Sequence, residues 1–245
     1  MFSMKHSHTS FSPVGTPFSD CTVGELVAAR PGRSRIFEIY GIDFCCGGGR
    51  TLREACKGKG VSLDAVVEQL EAETAGKPAP VHNPAELPLH ELCSYIVETH
   101  HGYLRRELPR LHAMSARVAQ VHGSHTPALK EVFEVFTGLE QELTNHIFKE
   151  EQILFPAIAA ISRGESEPMM LDGPISCMIH EHDDAGTALA RLRALTDGFQ
   201  PPADACNTYR ALFAGLHELE EDLHRHIHLE NSVLFPASRE FTVPA

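Results

Sequence analysis

Two short stretches of this sequence present the same chemistry in the same order. Asn145–Ala157 reads NHIFKEEQILFPA and Arg225–Ala237 reads RHIHLENSVLFPA, so both contain His-Ile-x-x-Glu-x-x-x-Leu-Phe-Pro-Ala. His146 and His226 lie 80 residues apart, as do Glu150 and Glu230. Upstream, His101 in HHGYLRR and His182 in HEHDDAG lie 81 apart, and the intervals within the halves, 45 and 44 residues, agree. Such self-similarity marks the duplication of a helix pair. In a helix, four residues advance about 400°, which leaves an offset of roughly 40° and a rise of about 6 Å. His146 and Glu150 therefore share one face, as do His226 and Glu230. If each preceding helix adds its histidine, His101 or His182, four imidazoles and two carboxylates meet. That donor set is typical of carboxylate-bridged metal pairs in helical bundles. Imidazole suits iron, and a glutamate can span two ions with its two oxygens.

A single His-x-x-x-Glu on a helix is more often a surface pair. Two copies in matching positions, each preceded by an equivalently spaced histidine, favour a metal site instead. The neighbouring Ile, Leu and Phe by themselves signal only packing. The chain has sixteen histidines, and most have other expected places. His100 adjoins His101 and is the alternative to it, but only His101 keeps the register of the repeat. His224 and His228 flank His226 by two residues, point about 160° away and are expected in solvent. His112 shares the phase of His101 but lies about 16 Å along the axis. His6, His8, His82, His90, His122, His125, His180 and His217 read as leader, loop or surface residues. Glu142 precedes His146 by four residues and Glu181 adjoins His182. Each is either a partner or proton donor beside the metals or an ordinary solvated glutamate.

The residues that must position this cluster fall into four segments of helical periodicity, from about Leu89 to Val121, Pro127 to Ile161, Pro174 to Leu195 and Ala203 to Glu240. The breaks HGSHTP, SRGESEP and DGFQPP carry Gly, Pro or Ser, which predicts an antiparallel four-helix bundle over residues 89–245. Pro109 is expected to kink or divide the first helix. Residues 1–17 read as a disordered leader, 18–75 as a small helical domain and 76–88, with its prolines, as a linker. The fold class is all-α. A net charge of −12 argues against nucleic acid as a partner, because its phosphates would repel an acidic chain. No apolar run approaches the roughly 18 residues of a membrane span, and no signal peptide is evident. Seven cysteines in no regular framework suit a reducing compartment, so the expected location is cytoplasmic.

From about Phe18 to Phe235 the chain resembles the iron–sulfur cluster repair di-iron proteins, the Repair of Iron Centres family. The resemblance rests on YGIDFCCGGGRTL in the first domain and on KEEQILFP, GPISCMIHEHDDAG and LENSVLFP in the second. It implies a hemerythrin-like bundle holding two non-haem iron ions, oxo-bridged when oxidised, through His101, His146, Glu150, His182, His226 and Glu230. The family's additional functional glutamates correspond to Glu142 and Glu181. Gly102-Tyr103-Leu104 departs from the more polar residues of some relatives. Cys45 and Cys46 match the paired cysteines of the family's N-terminal domain. Adjacent cysteines bridge each other only with strain, so they are expected as exposed thiols in a glycine-rich loop, able to bind iron, NO or a partner thiol. Cys21, Cys56, Cys93, Cys177 and Cys206 read as small packing residues.

The implied function is binding of NO and repair of damaged iron–sulfur proteins, with iron donation as one route. The alternatives are reduction of NO to N₂O, and an oxygen-binding or iron-storage role with O₂ as the ligand. A homodimer stays open.

Overall fold

The computed structural model describes residues 16–75, 83–166 and 170–240. The expected leader through residue 15 and the 76–82 portion of the expected linker lie outside them, as do His6, His8 and His82. The described residues form helices and no strand, with one isolated bridge between Thr22 and Thr51. No helix among them is long and apolar enough to cross a membrane.

The N-terminal part holds α1 (Val23–Ala29), α2 (Ser34–Ile39), α3 (Leu52–Lys59) and α4 (Leu63–Thr74). Local sequence starts and stops them. Thr22 with Glu25, and Thr51 with Glu54, form reciprocal capping boxes at α1 and α3, each contributing about 1 kcal/mol. Gly60, at φ 68°, ends α3 in the left-handed conformation that glycine adopts without a Cβ clash. Phe18, Leu26, Phe37, Phe44, Leu52 and Leu70 fill the core between these helices. The described end of the expected linker is tied to this part, because Asn83 donates its side-chain amide to the Ala28 carbonyl at 2.7 Å.

The remaining helices are α5 (Leu89–Ile96), α6 (Gly102–His122), α7 (Ala128–Lys149), α8 (Phe155–Ser162), α9 (Asp172–Leu195), α10 (Asn207–Leu229) and α11 (Phe235–Arg239). Single π-helical turns at Val97–His101, Glu150–Leu154 and Glu230–Leu234 join α5 to α6, α7 to α8 and α10 to α11. Four rods result, and they pack as a bundle in which α6 lies against α7 and α10, and α7 against α9.

Pro109 does not divide the first rod. The helix runs unbroken through it from Gly102 to His122, and the irregular turn falls earlier, at Val97–His101. A proline removes one backbone donor, and the buried Leu104, Leu108 and Leu111 around it anchor the helix in the core.

The bundle core has two apolar parts. One contains Leu104, Leu143, Ile147, Ala185, Leu223 and Ile227; the other contains Ile96, Leu154, Phe155, Met178, Leu234 and Phe235. On each rod a candidate metal residue lies at the junction between them.

The N-terminal part docks beside this junction. His228 donates Nδ1 to the Phe44 carbonyl at 3.3 Å, and the Phe44 ring meets His224 and His228 edge-on. Gly24 and Gly48 approach Ser232 so closely that a Cβ would meet its Oγ at 2.6 and 3.1 Å. His228 is therefore buried and His224 half-buried, not solvated as helical phase alone suggests. The face they share turns away from the metal residues, but the N-terminal part covers it. Burial also pushes the His228 imidazole down to about 4.

Candidate metal centre

The structure brings His101, His146, Glu150, His182, His226 and Glu230 into two overlapping groups. One contains His101, His226, Glu150 and Glu230; the other contains His146, His182 and the same two glutamates, with the donor atoms of each group within 4.8 Å of one another. Each group thus takes one histidine from either hairpin and shares both carboxylates. The Glu150 carboxylate lies 3.2 Å from His101 Nε2 and 3.4 Å from His146 Nε2. Glu230 presents Oε1 to His226 Nε2 at 2.9 Å and Oε2 to His182 Nε2 at 3.0 Å.

Backbone irregularity helps to aim these groups. Glu150 and Glu230 each open a π-turn, and His101 closes one; such wide turns recur at functional sites because they re-aim a side chain. His182 differs, since it lies in the unbroken α9. Phe155 stacks on His101 and Phe235 on His182, with ring planes 15° and 7° apart, at equivalent points of the repeat.

Hydrogen bonds set the tautomers. His101 Nδ1 donates to Glu151 at 2.7 Å, His146 Nδ1 to Glu181 at 2.8 Å and His182 Nδ1 to Asn231 at 2.9 Å. With Nδ1 protonated, a neutral imidazole has its lone pair on Nε2. Yet His101 Nε2 lies 3.3 Å from His226 Nε2, and His146 Nε2 lies 3.2 Å from His182 Nε2. Between His146 and His182 two lone pairs therefore converge and call for a proton or a cation, whereas His226, whose Nδ1 has no acceptor, turns Nε2 to Glu230 Oε1 as well as to His101.

The carboxylates make the same demand. Glu150 and Glu230 are 0% exposed, and both Glu150 oxygens and Glu230 Oε2 lack a hydrogen-bond donor. Burial by itself would raise both carboxyls, but the His226 and His182 imidazoles hold Glu230 well below its ordinary range, and His146 and His101 lower Glu150. In return, the Glu150 carboxylate outweighs burial and lifts His146 to about 9. A buried uncompensated carboxylate costs several kcal/mol. Two divalent cations would satisfy the orphaned oxygens and the converging imidazoles together, so the residues fit a dinuclear centre.

Glu142 and Glu181 fall on one side of the cluster. A cavity of about 290 Å³ reaches His146, His182 and His226, and both glutamates line it. Glu181 holds His146 and pairs with Lys149; burial is outweighed there by Lys149 and His146, which keep its carboxyl below the usual range. Glu142 is exposed.

The cysteine expectation needs correction. Cys45 is buried at 6% exposure and Cys46 is half-buried, because their loop is pressed onto the bundle instead of standing free. Cys46 Sγ lies 3.6 Å from the His182 carbonyl, and Asn231 donates its amide to the Cys45 carbonyl at 3.4 Å. Conversely, Cys177 and Cys206 are exposed and fill no core, whereas Cys21, Cys56 and Cys93 are buried.

Three neighbours went unread in the sequence. Glu151 and Asn231 each follow a candidate ligand glutamate, and each accepts from the histidine of the other rod in its own hairpin. Their equivalence was present in the repeat, hidden by the change of residue type. Asp222 occupies the place of Glu142, 80 residues on, and accepts from His100 at 3.0 Å.

Residues 94–238 match the family described as the hemerythrin HHE cation binding domain. Residues 19–74 match ScdA_N, a domain of unknown function. Among curated proteins the chain is 42% identical to an iron-sulfur cluster repair protein YtfE from Edwardsiella ictaluri over 219 residues, 89% of this chain and 96% of that protein. It is 40% identical to the protein of that name from Musicola paradisiaca and 39% to that from Pectobacterium atrosepticum, with the same coverage.

Proposed function

This chain belongs to the YtfE family of iron-sulfur cluster repair proteins, and we propose that it holds two non-haem iron ions and serves repair of damaged iron–sulfur clusters, binding NO and donating iron. The observation that carries this reading is the pair of two-histidine sets that share Glu150 and Glu230. Bound iron supplies open coordination positions for a small ligand and a ferrous store that carboxylates and imidazoles grip less tightly than thiolates grip softer metals. The protein's own residues do the rest. Glu151, Glu181 and Asn231 orient imidazoles, Phe155 and Phe235 exclude water from one end, and the cavity beside Glu142 and Glu181 gives NO or iron a route.

To test donation, the ferrous protein is mixed anaerobically with aconitase whose cluster has been damaged by NO. Recovery beyond that given by equal free Fe(II) is the expected result. Recovery no better than free iron rejects donation.

The cavity also supports a second reading, reduction of two NO to N₂O and water, which consumes two electrons and two protons. Ferrous iron is the electron source, and Glu142 and Glu181 stand where protons enter. Anaerobic headspace analysis decides: no N₂O above the protein-free control leaves binding alone.

A further inference from the structure

The two halves of the site are not equal, and the difference lies beside the metal residues. In register, Glu181 corresponds to His100, since each immediately precedes the histidine that its rod contributes. Glu181 accepts the Nδ1 hydrogen of His146 at 2.8 Å. The matching acceptor for His226 would have to come from position 100. His100 instead lies flat against His226, with ring centroids 5.3 Å apart and planes within 2°. A stacked ring offers its face and no in-plane lone pair. The Nδ1 of His100 is committed elsewhere, to Asp222 at 3.0 Å. His226 is 1% exposed, and its Nδ1 has no protein acceptor.

A ligand histidine whose distal N–H is held by a carboxylate or amide is oriented and more basic. Loss of such a partner typically weakens metal binding by about 10- to 100-fold. The position between His146 and His182 has both imidazoles supported, by Glu181 and Asn231. The position between His101 and His226 has only one, through Glu151. We infer that the two ion positions differ in affinity, that the ion between His101 and His226 is the first to leave, and that His100 is the positioning residue that sets the difference. This deepens the proposed function and rests on its premise that the cluster holds two ions.

The experiment is anaerobic transfer of Fe(II) from the fully loaded chain to a coloured chelator, with the half-depleted protein crystallised and its iron located by anomalous scattering. Two phases of equal amplitude are expected, about tenfold or more apart in rate, with the retained iron between His146 and His182. H100E, which places a carboxylate where Glu181 stands in the other half, should slow the fast phase. E181A should instead speed the slow phase toward the fast one. The two variants move opposite phases, which general loosening of the bundle would not do, and retained folding is checked by circular dichroism. A single phase from a protein that binds two irons overturns the inference alone, as does retained iron between His101 and His226. Binding of fewer than two irons sinks the proposed dinuclear centre instead.

Discussion

Asn231 accepts the Nδ1 hydrogen of His182 through its amide oxygen at 2.9 Å, while its amide nitrogen holds the Cys45 carbonyl at 3.4 Å. One side chain therefore connects the docked cysteine loop to a metal-site imidazole. N231A removes both bonds and should weaken the ion between His146 and His182 by about 10- to 100-fold, measured by competition with a chelator. N231D restores an acceptor for His182 but no donor for Cys45, so it should recover most of that affinity. If N231A binds iron as wild type does, the imidazole is held by packing alone.

The shared carboxylates give a different pattern. Glu150 and Glu230 belong to both groups, whereas each histidine belongs to one. E230A is expected to lower occupancy at both positions, while H146A should leave the ion between His101 and His226 largely in place. Iron content per chain, with Mössbauer spectra of ⁵⁷Fe-loaded protein, distinguishes the two outcomes. Equal losses in both variants would contradict a bridging role.

Removing the metal should destabilise the fold. Each ion bound at about 1,000 times its Kd adds roughly 4 kcal/mol, and a domain of this size gains about 2–4 °C of Tm per kcal/mol. With two ions, a fall of at least about 16 °C on chelation is therefore expected by calorimetry. E150L combined with E230L should abolish the response to chelator, because both carboxylates shared by the two groups are then gone. A metal-free Tm equal to the loaded one would show that the cluster contributes nothing to stability.

The two adjacent thiols should react unequally. Cys45 is raised well above the ordinary thiol range by its hydrogen bond with Cys46, by burial and by the Cys46 and Asp43 charges. Its reactive thiolate is therefore scarce at every pH below that raised value and grows only in alkali. Iodoacetamide at pH 7.5, followed by peptide mass spectrometry, should modify Cys46 at least about tenfold faster than Cys45, and unfolding should remove the difference. Equal labelling of the native chain would mean that the loop lifts off the bundle.

Much of this architecture was legible in the residues. Helical spacing gave the rods, and the 80-residue recurrence of His-x-x-x-Glu pointed to the six side chains the structure gathers. Periodicity reports which face of a helix is apolar, but not which faces are later covered. For that reason His228 and the Cys45–Cys46 loop, expected in solvent, lie against each other's domains. The π-turns leave no composition signature. Glu151 and Asn231 were hidden because equivalent positions carry different residues with the same accepting oxygen.

The division of histidines between the two ion positions has a consequence for ancestry. Neither hairpin alone supplies more than one imidazole to either position, so a forebear consisting of one such hairpin would have needed a second copy of itself to enclose a metal. Fusion of two such genes would have turned an assembly dependent on concentration into one that every newly made chain completes alone. Only after that were the copies free to diverge, one carrying Glu181 at the place where the other carries His100.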